Sequence, residues 1–186
     1  VFGLRPEPYI SVRRPETRGR EMASAPWSWT DSIASWTWAD AGTEPVEVEV
    51  YSDAPEVELL LDGESLGRRS TGPDHGFRTV FSVAYRPGRL EAVALRDGRR
   101  SERTSLVTAG ATRRLSLTPE RSSIRVDGQD LAFVSVELVD EAGVRATDGR
   151  ADVELRIEGP GALQGFGSAV AATEESFADT RHTLSD

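Results

Sequence analysis

At 186 residues the chain has room for one large domain or two small ones. Apolar residues make up 38% and charged residues 28%, and no stretch approaches the 18 apolar residues that would make a membrane helix, so gross disorder and a helical membrane span are both excluded. Asp and Glu outnumber basic residues 31 to 22, and the resulting net charge of -9 repels phosphate backbones and anionic lipid, which argues against nucleic acid and membrane as partners.

Residues 1–35 combine Pro6, Pro8, Pro15 and Pro26 with Arg13, Arg14, Arg18 and Arg20. That composition reads as a stiff, exposed lead-in with at most one short helix after Pro8, and not as a domain. Period two then sets in: Val46, Val48 and Val50 alternate with Glu47 and Glu49 ahead of Tyr51, a strand with one wet face. Val57, Leu59 and Leu61 form a second such strand, expected to make a hairpin with the first, and Asp62-Gly63 supplies residues that tolerate the positive φ of a two-residue turn. Phe77, Thr79, Phe81, Val83 and Tyr85 alternate next, the chain turns at Arg86-Pro87-Gly88-Arg89, and residues 90–95 lead to a second Asp-Gly at Asp97-Gly98. Strands of this length and spacing predict an antiparallel β-sandwich over 36–109.

The style repeats over 110–186. Leu115 and Leu117 open it, residues 131–139 form its longest apolar run, and Val153, Leu155 and Ile157 alternate with Glu154, Arg156 and Glu158. The fold class is therefore all-β, with two immunoglobulin-like sandwiches in tandem behind an irregular lead-in. A unit of roughly 75 residues buries only about 60% of its unfolded surface, so the two are expected to pack together or against a neighbour. The chain opens at Val1-Phe2-Gly3 without an initiator Met or a signal-like segment, and closes at Leu184-Ser185-Asp186 where another strand is expected. It reads as an excerpt of a longer protein with its second sandwich truncated.

Residue types that are missing narrow the chemistry. There is no Cys, which removes disulfides, thiolate metal sites and Cys nucleophiles together. Only His75 and His182 are available for a zinc site or a hydrolytic triad, and the absence of Lys and Asn removes Schiff-base and phosphate-loop lysines as well as glycosylation sequons. Neither a GxSxG nor a complete GxGxxG is present, and Gly165-Phe166-Gly167-Ser168 reads as a tight bend. No cofactor or metal is implied.

All four tryptophans, Trp27, Trp29, Trp36 and Trp38, fall within twelve residues. Flat aromatic faces stack on the apolar faces of sugars, so the cluster is a candidate carbohydrate platform. The plainer reading, which we favour, is that Trp27 with Trp29 and Trp36 with Trp38 each share a strand face and fill the seam between lead-in and sandwich. Glu47 and Glu49 sit at a backbone spacing near that of an inverting glycosidase pair, but such work needs one carboxyl withdrawn from water. Alternation with valines puts both in solvent, and the same reasoning covers Glu56 with Glu58, Glu154 with Glu158 and Glu174 with Glu175. Arg96 to Arg103 makes a basic hairpin tip, suited to an anionic sugar or an acidic partner, and more simply to keeping an edge strand from pairing with other chains.

The motifs Pro26-Trp27-Ser28-Trp29-Thr30-Asp31, residues 48–54 and 56–67 around Leu59-Leu60-Leu61-Asp62-Gly63, residues 81–94, and Thr108-Ala109-Gly110 resemble the C-terminal region of bacterial, β-galactosidase-like glycoside hydrolase family 2 enzymes. The stretches 132–136 and Val139-Asp140 look like the immunoglobulin-like module that follows. The resemblance implies a parent with a TIM barrel carrying two catalytic glutamates of a retaining mechanism. Neither glutamate's motif occurs here, and residues 4–14 look like the end of the barrel's last helix. It further implies that this piece is catalytically silent, with the barrel as its partner, and that it braces the barrel, its substrate entrance or a subunit interface. Two other readings are a carbohydrate-binding module built on the Trp cluster and an adhesin-like spacer.

Overall fold

In a computed structural model of the chain, described over residues 6–19, 30–111, 113–169 and 173–184, the period-two segments form strands and every strand pair is antiparallel. Trp27 and Trp29 lie outside the described residues. The chain divides into Val1–Thr108 and Ala109–Asp186.

Among the described residues the first unit holds seven strands: β1 (Tyr9–Val12), β2 (Val46–Tyr51), β3 (Glu56–Leu61), β4 (Glu64–Ser70), β5 (Arg78–Val83), β6 (Arg89–Arg96) and β7 (Arg99–Val107). They make two layers, ordered β1-β2-β5 and β4-β3-β6-β7. Alternation decides the inner faces. Val46, Val48, Val50, Phe81 and Val83 from one layer meet Val57, Leu59, Leu61, Leu90 and Ala92 from the other, and all are buried. At about 25 cal/mol per Å² of apolar area, a set of this kind supplies the main drive for folding.

Asp62 and Gly63 take φ of 51° and 83°, Asp97 and Gly98 take 52° and 73°, and both pairs make the two-residue turns the sequence predicts. The strands they join differ from the expectation in one respect. β2 and β3 belong to different layers, so the Asp62-Gly63 hairpin connects β3 to β4. β4 has no apolar alternation and is exposed throughout, which hid it from the hydrophobic pattern. The Arg86–Arg89 turn likewise passes from one layer to the other, since β5 and β6 lie in different sheets. Gly88 is required there: its φ is 152°, and a Cβ would come within 2.3 Å of the Asp62 carboxylate.

Part of the segment expected to be lead-in is built into this sandwich. Ile10 and Val12 enter the core from β1, which pairs with β2 at Ile10↔Val50 and Val12↔Val48, and the short helix that follows Pro8 is a single 3-10 turn at Pro15–Thr17. Two alternating residues suffice because β2 offers a long, preformed edge. Residue 33 then bridges back to Val12 through hydrogen bonds of 2.8 and 2.9 Å.

The second unit contains β8 (Arg114–Pro119) with β9 (Val134–Val139), and β10 (Ala151–Glu154) with β11 (Arg181–Leu184), as two two-stranded sheets. The Asp140 carboxylate ties its start to the turn after β9, accepting N–H groups of Gly110 at 2.7 Å and Val144 at 2.8 Å. Those two bonds, Gly110 first, hold its pKa below the ordinary value. Near the end of the unit the buried His182 ring packs edge-on to Phe166, with Nε2 3.0 Å from the Ser176 carbonyl and Nδ1 3.2 Å from a Glu175 carboxylate oxygen. The Gly165–Phe166–Gly167 run is held to residue 177 by the Phe166 N–H, 2.9 Å from the Phe177 carbonyl.

Candidate functional site

Trp36 and Trp38 lie in the core of the first unit, Trp36 with no exposed surface. The Trp36 indole donates from Nε1 to the Arg86 carbonyl at 3.1 Å, and its ring meets Tyr85 edge-on with centroids 4.9 Å apart. Its own carbonyl accepts the Thr108 hydroxyl at 2.7 Å, and Thr108 in turn accepts the Gly88 N–H at 3.0 Å. Trp38 is anchored to the same residue, its N–H donating to the Tyr85 hydroxyl at 3.3 Å. Both rings are packing elements that close the end of the sandwich where the chain crosses between layers.

The polar centre of this unit is one that the sequence pattern placed in water. Glu49 points away from the core, yet it is only 3% exposed. One carboxylate oxygen takes the Arg78 guanidinium at 2.8 Å and faces the Thr30 hydroxyl at 3.1 Å, and the other takes the Tyr51 hydroxyl at 2.7 Å. Burial by itself would raise the Glu49 pKa. The bonds from Tyr51, Arg78 and Thr30 and the Arg78 charge more than offset it and hold the carboxyl below its ordinary value. The same arrangement works in reverse on Tyr51: burial and the Glu49 carboxylate push its phenol up to about 12. Tyr51 also meets Tyr9, which is half exposed, with centroids 6.3 Å apart.

This cluster stands at one end of the segment carrying Trp27 and Trp29, since Thr30 directly follows Trp29 in the chain. At the other end Arg18 is fixed by donating to the carbonyls of Ala41 at 3.0 Å and Glu44 at 3.2 Å. Beside it runs a cleft of about 460 Å³ lined by Arg13, Arg14, Arg18, Glu44 and Glu47 among others. Its charges are largely matched: Arg13 is 3.1 Å from Glu47, and Arg18 is 3.8 Å from Glu44.

Glu58, also read as solvent-facing, is 4% exposed on the outer face of the four-stranded sheet. One of its oxygens receives Arg100 Nε at 2.9 Å and Nη2 at 2.8 Å, and the other receives the Ser65 hydroxyl at 2.9 Å with Arg68 3.7 Å away. Burial again opposes ionisation, and Ser65, Arg100 and Arg68 together overcome it, so this carboxyl too titrates below its ordinary value. Two further arginines of the basic hairpin are matched by acids, Arg96 by Asp53 and Glu102 and Arg103 by Glu91. A general acid needs a carboxyl whose pKa is raised, and among the described residues both withdrawn carboxyls of this unit are tuned the opposite way.

Residues 115–186 match the family described as glycoside hydrolase family 2 C-terminal domain 5, and residues 43–102 match a domain of unknown function, DUF4982. The chain resembles the C-terminal region of glycoside hydrolase family 2 enzymes. The β-galactosidase BoGH2A of Bacteroides ovatus is 30% identical over 157 residues, which is 82% of this chain and 18% of that protein. A putative β-glucuronidase of Formosa agariphila is 33% identical over 115 residues, 61% of this chain and 11% of that one. The crystal structure of a family 2 member from Bacteroides cellulosilyticus superposes with a TM-score of 0.82 at 31% identity, over 96% of this chain and 24% of its own. A family 2 β-glucuronidase of known structure shares the fold at 23% identity, with a TM-score of 0.71. The chain thus spans under a quarter of the length of these relatives, and what it resembles is the C-terminal region of family 2 enzymes.

Proposed function

We propose that these two units are the non-catalytic, bracing portion of a β-galactosidase-like family 2 glycoside hydrolase, docked on a catalytic barrel carried elsewhere in the parent polypeptide. The observation that carries this reading is the use made of the buried carboxylates. Glu49 ties β2 to β5 and to the residues that follow Trp29, Glu58 ties β3 to β4 and β7, and both are held ionised by arginine and hydroxyl partners. Groups committed in this way stiffen a support and do not transfer protons to a leaving sugar oxygen. Trp36 and Trp38, enclosed in the core, act in the same sense.

Deleting the region equivalent to residues 1–186 from the parent enzyme tests the proposal. The expected result is a barrel that loses thermal stability or solubility while its remaining folded fraction keeps the catalytic glutamates' chemistry. A parent that melts at an unchanged temperature with unchanged kcat and KM after the deletion would contradict a bracing role. Trp27→Ala and Trp29→Ala in the intact parent separate entrance from brace: a rise in KM points to the entrance, a fall in melting temperature alone to packing.

A further inference from the structure

Of the aromatic candidates for stacking on sugar, Trp36 and Trp38 are spent in the core of the first unit. Among that unit's described residues the exposed aromatic side chain is Tyr9, at 45%, on the outer face of the three-stranded sheet. Register puts Tyr9 opposite Tyr51 and Tyr51 opposite Arg78, so a Tyr–Tyr–Arg row crosses all three strands. In the next row Ser11 and Glu49 are buried, and the cover over this face therefore ends one row short of the tyrosines. The row is held stiffly. Tyr51 donates its hydroxyl to Glu49 at 2.7 Å, and the guanidinium of Arg78, whose side chain is 46% exposed, is tethered to the same carboxylate at 2.8 Å. The Tyr9 and Tyr51 rings stand 6.3 Å apart, inclined at 51°. Directly before Arg78, Phe77 has a φ of 60°, a conformation that a bulky side chain resists. It is fixed there by its N–H, which donates to the Gly72 carbonyl at 2.7 Å, and by its carbonyl, which accepts the Ser52 N–H at 3.0 Å. Strain of this sort gathers where a structure holds side chains in place for a ligand.

We propose that the Tyr9–Tyr51–Arg78 row is a binding site for a neutral hexopyranoside. An aromatic ring offers a flat apolar surface to the C–H face of a pyranose, and a guanidinium offers a fixed fork of N–H donors to its hydroxyl oxygens. With its proton committed to Glu49, the Tyr51 oxygen remains able to accept a sugar hydroxyl. Glu49 holds both polar members in place before the ligand arrives, so little side-chain freedom is lost on binding. The same carboxylate selects the class of sugar. It neutralises Arg78, and the chain carries a net charge of -9, so an acidic sugar gains no charge attraction here. The site stands whether or not these units brace a barrel, and whatever bond the parent cleaves.

Titration of residues 1–186 with methyl β-galactoside and with methyl β-glucoside, followed by NMR, tests the site, with methyl β-glucuronide as the acidic counterpart. The expected result is a set of saturable shifts at Tyr9, Tyr51 and Arg78 with a millimolar Kd for a neutral glycoside. That affinity should weaken about tenfold in Tyr9→Ala, and several-fold in Arg78→Lys, which keeps the charge and loses the fork. Unmoved amides of Glu56–Leu61, in the other sheet, report that both variants are folded. An absence of saturable shifts with either neutral glycoside would overturn the proposal, as would an affinity unchanged in both variants. Tighter binding of the glucuronide would overturn the class of sugar, and shifts confined to the tryptophan indoles would place the platform elsewhere and overturn the site.

Discussion

Glu58 and Arg100 lie on strands that are not neighbours, and they meet over the strand between them. The Arg100 guanidinium reaches from β7 across β6 to place Nε and Nη2 at 2.9 and 2.8 Å from one Glu58 oxygen. Beneath this clasp Val93 is buried on the outer face of the sheet. The pair therefore does for the outer face what alternating valines do for the inner one, and it does so with a carboxylate that has almost no contact with water.

Glu58→Gln removes the charge while keeping the shape and leaves the guanidinium half exposed, so a loss of about 1–3 kcal/mol is expected. Arg100→Ala should cost at least as much, because it leaves the carboxylate buried with Ser65 and a more distant Arg68. Urea unfolding of each variant and of the double variant measures this. A coupling energy near zero would show that the clasp contributes nothing beyond its separate members.

Acid should loosen the first unit. Both Glu49 and Glu58 titrate below 4.5 when folded and return to that ordinary value when unfolded, so the stability they contribute is present above pH 4.5 and is lost as pH falls through the folded values. Tyr51 acts at the other end: its folded pKa of about 12 exceeds the ordinary 10.0, so its contribution is present below pH 10.0 and is lost as pH rises through about 12. All four tryptophans belong to this unit, so indole fluorescence reports it alone. The expected outcome is an acid transition that becomes shallower in the Glu49→Gln, Glu58→Gln double variant and an alkaline one that moves in Tyr51→Phe.

Trp36→Phe should be costly although it is conservative. It opens a cavity at a position with no exposed surface and leaves the Arg86 carbonyl without the indole donor, for a loss of about 2–4 kcal/mol by differential scanning calorimetry. An unchanged melting temperature would mean that the end of the sandwich is held by Thr108 and Tyr85 without the indole.

Gly88→Ala should destabilise by roughly 1–3 kcal/mol, through a Cβ driven onto the Asp62 carboxylate and a φ of 152° that alanine resists. Asp62→Gly relieves the first cause and suits the positive φ at that turn, at the expense of the bond to the Arg89 N–H at 2.8 Å. The double variant is therefore expected to be more stable than Gly88→Ala alone, which thermal melts would reveal.

The inner faces of the first sandwich and both Asp-Gly turns were legible in the sequence, because period two and positive φ are local properties. What could not be read locally was coverage. Alternation put Glu49 and Glu58 on outer faces correctly, but only the tertiary structure covers them, with Thr30 and Tyr51 over one and the stems of Arg68 and Arg100 over the other. β4 escaped because an edge strand facing water needs no apolar residue, and β1 because two buried apolar side chains, Ile10 and Val12, are too few to make a period. The tryptophans were legible as a cluster, while the depth of Trp36 depended on a crossover between layers that no spacing announces.

Hydrolysis by the chain alone decides whether these sandwiches brace or cleave. Residues 1–186, purified free of host glycosidases, should leave nitrophenyl β-galactoside and nitrophenyl β-glucuronide uncleaved under conditions in which the intact parent turns over its substrate. Turnover by the isolated chain that disappears in Glu49→Gln or Glu58→Gln would place bond cleavage in these sandwiches and contradict the account.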